Sequence, residues 1–262
     1  MLWPRARIFE DFMSALTFIP KVIYNRIMIL LKLDAEKEVA GEPWRAFKYN
    51  PAKTLQQNAG FSHTPEMDET LQRIKAKLVK TLRETVATKG TILDFGCGPG
   101  IYMDMLKNYY NVVGVDISGE MLQVASALLP TNRFYHGNFF EVKFDEKFSA
   151  VYSIGVLEYV PVSRLERFFR KCSDLLDDGG MLFIQYPHAL RIRDLLYPNL
   201  KYINYSPKLI QRVAAKYFSI VENAHCFDGR PACLYDREPY PTTSRIFKNG
   251  YILIAKKKVI PA

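Results

Sequence analysis

The stretch that decides the fold is TILDFGCGPGIY, residues 91–102. Ile92 and Leu93 read as the end of a buried strand, and Gly96, Gly98 and Gly100 then follow at every second position. Glycine supplies the left-handed backbone that a tight turn needs, and it leaves no side chain to hold a ligand off the main chain. A buried strand running into such a loop marks a site for a nucleotide-like ligand.

Outward from this loop, strands and helices alternate. TILDFG, NVVGVDI, RFYHGN, FSAVYSIGV and GGMLFIQYP read as strands, and IYMDMLKN, GEMLQVASAL and SRLERFFRKCSDLL as helices. This pattern implies a mostly parallel sheet with helices on both faces. Two further strands, FSIVENAHCFD and NGYILIAKK, flank a Pro- and Tyr-rich insertion at 229–247, with Asn249-Gly250 as the turn into the last strand. Upstream, residues 66–87 place Leu71, Ile74, Leu78 and Leu82 at helical spacing behind Thr64-Pro65. Residues 40–67, rich in Pro, Gly and Asn with scattered aromatics, read as a lid with little regular structure.

A chain of 262 residues supports one well-buried α/β domain with an appendage. Its 36 Lys and Arg against 27 Asp and Glu give a net charge of +9, which suits nucleic acid, an anionic membrane or a phosphorylated substrate. The excess lies in the flanks, because residues 91–150 are acidic whereas six cations between 186 and 217 face only Asp194. The four cysteines form no C-x-x-C pair and no zinc spacing, so no metal is expected and reduced thiols of a cytoplasmic protein are the simpler reading. The apolar N-terminal stretch is broken by Glu10, Asp11, Pro20, Lys21 and Arg26, short of the roughly 20 residues a bilayer crossing needs. Nor does it carry a small-residue cleavage site behind an apolar core. Residues 1–33 read instead as amphipathic helices that cap the core or rest peripherally on a membrane or partner.

Two families carry a glycine loop after the first strand. The dinucleotide fingerprint G-x-G-x-x-G asks for glycine where this chain has Ile101, which counts against an NAD-dependent dehydrogenase. The pattern present is D-x-G-x-G-x-G, DFGCGPG, and it is followed in order by Asp116 in VVGVDIS and by HGNFF after the third strand. In these motifs residues 89–190 resemble the class I S-adenosylmethionine-dependent methyltransferases, and the strand pattern extends the likeness to 258. The resemblance implies a Rossmann-like sheet of about seven strands, mostly parallel with an antiparallel last strand. It also implies S-adenosyl-L-methionine as cofactor and S-adenosyl-L-homocysteine as product.

By that resemblance Gly96, Cys97, Gly98 and Gly100 form the loop that admits the methionine half, and Asp94 orients the loop and reaches the ammonium. Asp116, 22 residues after Asp94, accepts from the ribose hydroxyls, and Ile117 packs on the adenine. Asn138 stands where the family commonly has an acid for the adenine amino group, and its carboxamide can accept the same bond. Phe139 offers its backbone N–H to the ring or is a core aromatic, and the backbone of Ser153, Ile154 and Gly155 accepts from the ammonium. Tyr49, in the lid, closes over the methionine carboxylate.

Acceptor groups are expected at the carboxyl ends of the fourth and fifth strands. His188 is the candidate general base, since an imidazole takes a hydroxyl proton near neutral pH. Glu158, Tyr159 and Tyr186 either line the pocket or serve the fold, while Arg191 and Arg193 suit a phosphate or carboxylate on the acceptor. GVLEYV stands where enzymes that methylate exocyclic amino groups of DNA bases carry Asn/Asp-Pro-Pro-aromatic, and no Pro-Cys occurs, so nucleic acid is the weaker acceptor class. The expected organisation is a helical and lid extension at 1–65 and a methyltransferase domain at 66–262, with acceptor insertions at about 188–215 and 229–247. The expected activity is O-directed methylation of a biosynthetic small molecule or saccharide. RNA methylation and a non-catalytic cofactor-binding module acting through partners are the alternatives.

Overall fold

The apolar run Thr91–Phe95 becomes strand β1 because four of its five residues find cover on both faces. The structure is a computed structural model, and it describes residues 47–58, 65–187, 205–226 and 250–259. In chain order the elements are α1 (Leu55–Asn58), α2 (Pro65–Thr85), β1, α3 (Ile101–Leu106), β2 (Asn111–Asp116), α4 (Gly119–Leu128) and β3 (Arg133–His136). There follow β4 (Phe148–Ile154), α5 (Leu165–Leu175), β5 (Leu176–Pro187), α6 (Pro207–Ala214), β6 (Phe218–His225) and β7 (Gly250–Lys257). The strands form one sheet in the order β3-β2-β1-β4-β5-β7-β6. β7 runs antiparallel to both its neighbours and the other pairs are parallel, as the alternation and the family resemblance imply.

Side chains alternate across each strand, so the sheet separates two core layers. Leu93, Phe95, Val113, Val115 and Val151 pack under α5 and α6, through Phe168, Phe169, Ile210 and Ala214. Ile92, Val112, Ala150 and Tyr152 pack under α2 and α3, through Leu78, Leu82, Tyr102 and Met103. Helix α2 starts at Pro65, where a missing N–H costs nothing, and Leu71, Ile74, Leu78 and Leu82 are each at most 2% exposed.

Three features depart from the sequence expectation. The lid contains a helical turn, α1, closed by a reciprocal Thr54/Gln57 capping box: Thr54 N–H donates to Gln57 Oε1 at 2.9 Å and Gln57 N–H to Thr54 Oγ1 at 3.2 Å. The Asn58 amide, buried behind it, donates to the carbonyls of Asn50, Lys53 and Thr54 and ties the segment into one knot. Residues 205–214, expected within an acceptor insertion, supply α6 and buried Tyr205, Ile210 and Ala214 to the core. β5 begins at Leu176 rather than at the glycines, with a register irregularity before Met181 where Gly179 adopts φ 72°. The N-terminal helices expected at 1–33, the segment holding His188, Arg191 and Arg193, and the 229–247 insertion lie outside the described residues. Among the described residues no helix is long and apolar enough to cross a membrane.

Candidate cofactor and active site

The strand order reverses at β1: the chain goes one way to β2 and β3 and then returns to β4 on the other side. Open α/β sheets bind ligands at such a switch point, outside the carboxyl ends of the strands. β1–β4 pairing stops at Asp94↔Tyr152, whereas β4 continues beside β5 to Ile154↔Gln185. Past Tyr152, the β1-facing edge of Ser153 and Ile154 therefore borders the glycine loop instead of a strand. The loop's opposite wall is held by Gly155, at φ 70°, whose N–H donates to Gln185 Oε1 at 2.9 Å.

All three glycines take left-handed conformations, Gly96 at φ 74°, Gly98 at 52° and Gly100 at 84°. A side chain on Gly96 would sit 2.3 Å from Val156 Cγ2, so that glycine is demanded by the loop's own packing. A Cβ on Gly98 would meet nothing within 4 Å. Gly98 thus presents bare backbone to open space at the mouth of the crevice. Cys97 between them turns inward, 5% exposed, towards Gly114 and Met103, and burial pushes its thiol pKa well up. Any contact of Cys97 with a ligand is through its backbone.

Asp116 ends β2 with both oxygens engaged: Oδ2 accepts from Gly98 N–H and Oδ1 from Ser118 N–H, each at 2.8 Å. Burial raises its pKa and these backbone donors oppose the rise. The carboxylate therefore fastens the glycine loop to the start of α4, where Ser118 Oγ caps the helix by accepting from Met121 N–H. The Ile117 carbonyl beside it lies 3.2 Å from His136 Nε2.

Asp94 is 2% exposed, and its Oδ2 has no hydrogen-bond partner. Burial, aided by the charge of Asp116, pushes its pKa from 3.8 up to about 8. The Tyr152 hydroxyl lies close enough to oppose that rise, yet it makes no hydrogen bond of normal geometry and is itself unpartnered. The hydroxyls of Tyr102, on α3, and of Ser153, at the end of β4, are also buried without partners. Buried polar groups are rarely left in this state, and their concentration around the crevice is what a site shaped for a polar ligand group shows.

Residues 92–180 match a family model described as a methyltransferase domain. A sphingolipid C9-methyltransferase 1 of Gibberella zeae is 28% identical over 138 residues, which cover 48% of this chain and 27% of that relative. A trans-aconitate 2-methyltransferase of Rhodopseudomonas palustris is 31% identical over 105 residues, 39% of this chain and 40% of its own. The solved N-methyltransferase NodS of Bradyrhizobium japonicum, in complex with S-adenosyl-L-homocysteine, shares the fold with a TM-score of 0.56. It is 13% identical and covers 86% of this chain and 97% of its own. Residues 92–180 thus carry a methyltransferase domain, on the fold of the class I S-adenosylmethionine-dependent methyltransferases. The matches span only about a quarter to two fifths of the length of these curated relatives.

Within this methyltransferase domain the remaining expected site residues separate into two groups. Tyr49 comes to the rim: its backbone N–H donates to Glu120 Oε2 at 3.0 Å, beside a 2.7 Å Lys48–Glu120 ion pair, so the lid docks on the first turn of α4. The Lys48 hydrogen bond, helped by the Tyr49 N–H, holds the Glu120 carboxyl below its usual range. Glu158 and Tyr159 form a short 3-10 turn directly after β4, half-buried at the crevice. Asn138 Oδ1 accepts from Phe140 N–H at 3.0 Å, closing an Asx turn after β3.

The rings of two expected site residues lie in the core. The Phe139 ring is 3% exposed and packs on Phe95 with centroids 4.3 Å apart, so only its backbone can face a ligand. Tyr186 is fully buried, stacks on Tyr251 and donates its hydroxyl to Asn223 Oδ1 at 2.7 Å. It therefore cannot line an acceptor pocket, and the correction follows from strand parity, which turns it into the α5–α6 layer. Among the described residues no group of three His, Cys, Asp or Glu side chains is arranged to hold a metal. Tyr102 and Tyr152 were missed from sequence. The available signal was a phenol in the central apolar strand for Tyr152 and one in the first turn after the glycine loop for Tyr102, each of which needs a hydrogen-bond partner when buried.

Proposed function

We propose that the chain transfers the methyl group of S-adenosylmethionine to a low-molecular-weight acceptor, at a hydroxyl of a biosynthetic small molecule or saccharide. The observation that carries this reading is the unpartnered Asp94 oxygen beside the open Gly98 cradle, with Asp116 already tied down on the other side. In this reading Asp94 receives the ammonium, Gly98 admits the amino-acid chain against the backbone, and Asp116 accepts from the ribose. Ile117, Asn138 and the backbone of Phe139 hold the adenine. Tyr49, carried by the lid docked on Glu120, covers the methionine end.

When bound, the cofactor supplies an electrophilic methyl group on sulfur. The protein's contribution is then to align the acceptor in line with that bond, exclude water and take the acceptor's proton. His188 is the proposed base, Glu158 and Tyr159 the proposed walls, and Arg191 and Arg193 the proposed grip on an anionic acceptor group. Relatives named for a sphingolipid and for trans-aconitate favour a lipid-sized or smaller acceptor over nucleic acid. The apolar, cation-bearing stretch 1–33 suits peripheral contact of a cytoplasmic enzyme with a membrane.

Calorimetric titration with S-adenosyl-L-homocysteine, with NAD as control, tests the reading. Binding of the first alone supports it, and binding of neither overturns it. An acceptor screen comparing the wild type with His188→Ala then tests the base, for which a fall in turnover of about 10²-fold or more is expected.

A further inference from the structure

Three unpartnered polar groups meet beneath the glycine loop on the α2–α3 side of the sheet. Asp94 and Tyr152 are register partners across β1 and β4, so their side chains leave the sheet on the same face. Tyr102 reaches that layer from the first turn of α3, immediately after Gly100. Tyr152 is fully buried and Tyr102 6% exposed, and neither hydroxyl nor Asp94 Oδ2 has a hydrogen-bond partner. A chain that needed only apolar filling here would carry phenylalanine, because a buried phenol without a partner is a net cost.

We infer that Tyr152 and Tyr102 are positioning residues whose hydroxyls hold the Asp94 carboxylate for the ammonium of an adenosyl ligand. They thereby set the preference for such a ligand over an adenosine thioether that lacks the amino-acid chain. The inference rests on the cofactor reading above.

Its physical basis is that a carboxylate in a water-poor site stays ionised only when donors surround it. No donor meets Asp94 Oδ2 with normal hydrogen-bond geometry, and the groups that sense its charge include these two tyrosines, together with Cys97 and Asp116. Asp116 is already committed to backbone donors and Cys97 is a weak donor pointing into the core. The phenols are the strong neutral donors at hand. Once an ammonium arrives, each can rotate its O–H towards the ion pair and share the carboxylate's lone pairs.

The test is calorimetric titration of the full chain with S-adenosyl-L-homocysteine and with 5′-methylthioadenosine, which keeps the adenosine and the sulfur but lacks the ammonium. The wild type is compared with Tyr152→Phe and Tyr102→Phe. Tyr110→Phe, a tyrosine of the same core layer, is the control. Tyr152→Phe should weaken homocysteine-ligand binding by about 5- to 20-fold and leave methylthioadenosine binding within about twofold. Tyr102→Phe should do the same to a smaller degree, and Tyr110→Phe should change neither. Equal weakening of both ligands, or no change in either, overturns the inference and leaves the tyrosines as core. A wild type that binds neither ligand overturns the cofactor reading as well, so the two failures are distinct. If Tyr152→Phe does not fold, the ratio of the two affinities in Tyr102→Phe decides.

Discussion

Asp94 and Asp116 end adjacent parallel strands at the rim of the same crevice, and the fold treats them in opposite ways. Asp116 receives two backbone N–H groups and is set before any ligand arrives. Asp94 is sealed in with one oxygen unpartnered, and its pKa is pushed up to about 8. The same contrast divides the glycines between them. Gly96 is required by Val156 packed against it, while Gly98 faces open space. One half of each pair serves the scaffold, and the other is left incomplete in the way a binding site must be. An ammonium placed at Asp94 would offset the cost of burying its carboxylate.

The sharpest way to break this comparison is at the glycines. Gly96→Ala should cost about 3 kcal/mol or more of folding stability, from left-handed strain together with overpacking on Val156. Gly98→Ala should cost only about 1 kcal/mol, from the backbone alone, while blocking the homocysteine ligand. Urea unfolding of the pair, with calorimetry on the second, checks both, and equal losses of stability would show that Gly98 is structural too. Next in size, Asp116→Ala should weaken S-adenosyl-L-homocysteine binding by about 1.5–3 kcal/mol. An unchanged dissociation constant would remove Asp116 from the ribose site.

Asp94 offers a test by pH. Its folded value of about 8 lies above the ordinary 3.8, so neutral Asp94 adds stability to the ligand-free protein that is complete below 3.8 and lost as the pH climbs to about 8. Affinity for an ammonium ligand should run the other way, because binding needs the ionised form. It should strengthen by up to about tenfold per pH unit from 6 to 8 and then level off. Asp116 raises and Tyr152 lowers this midpoint, while Cys97 and Tyr102, shifted upward by burial, stay neutral across the range. A flat profile in the wild type, matching that of Asp94→Asn, would mean that Asp94 is already ionised. The smallest effect is expected at the lid. Glu120→Gln should leave the unfolding midpoint nearly unchanged and weaken ligand binding by less than about tenfold, as exposed ion pairs do. Hydrogen exchange at the Tyr49 amide should quicken, and unaltered exchange would mean that the lid is held elsewhere.

Much of the fold was legible because its signals are local. GEMLQVASAL reads as a helix and is α4 residue for residue, and the apolar pattern of 66–87 matches α2 to within two residues. The reversed direction of β7 came with the family resemblance, but its place between β5 and β6 came only with the structure, since nothing in NGYILIAKK shows which neighbours it joins. The site was legible on the loop side, where glycine spacing and Asp116 carry the pattern. It was opaque where function depends on strand parity: Tyr186, open between pocket and fold, is core, and Tyr152, to which the sequence reading gave no role, borders Asp94. The Thr54/Gln57 box and α6 were readable in principle, but a Pro-, Gly- and Asn-rich segment and a cationic one drew attention to composition instead.

By itself the sequence determined where the backbone must turn left-handed, which segments are strands or helices, and that an acid sits at the carboxyl end of each of the first two strands. These follow from preferences acting over a few residues. Only the tertiary structure decided that Asp116 would find two N–H donors and Asp94 Oδ2 none. Hydrogen-bond partners are assigned by strand order and register, which bring Tyr152 beside Asp94 and leave the glycine loop open between them.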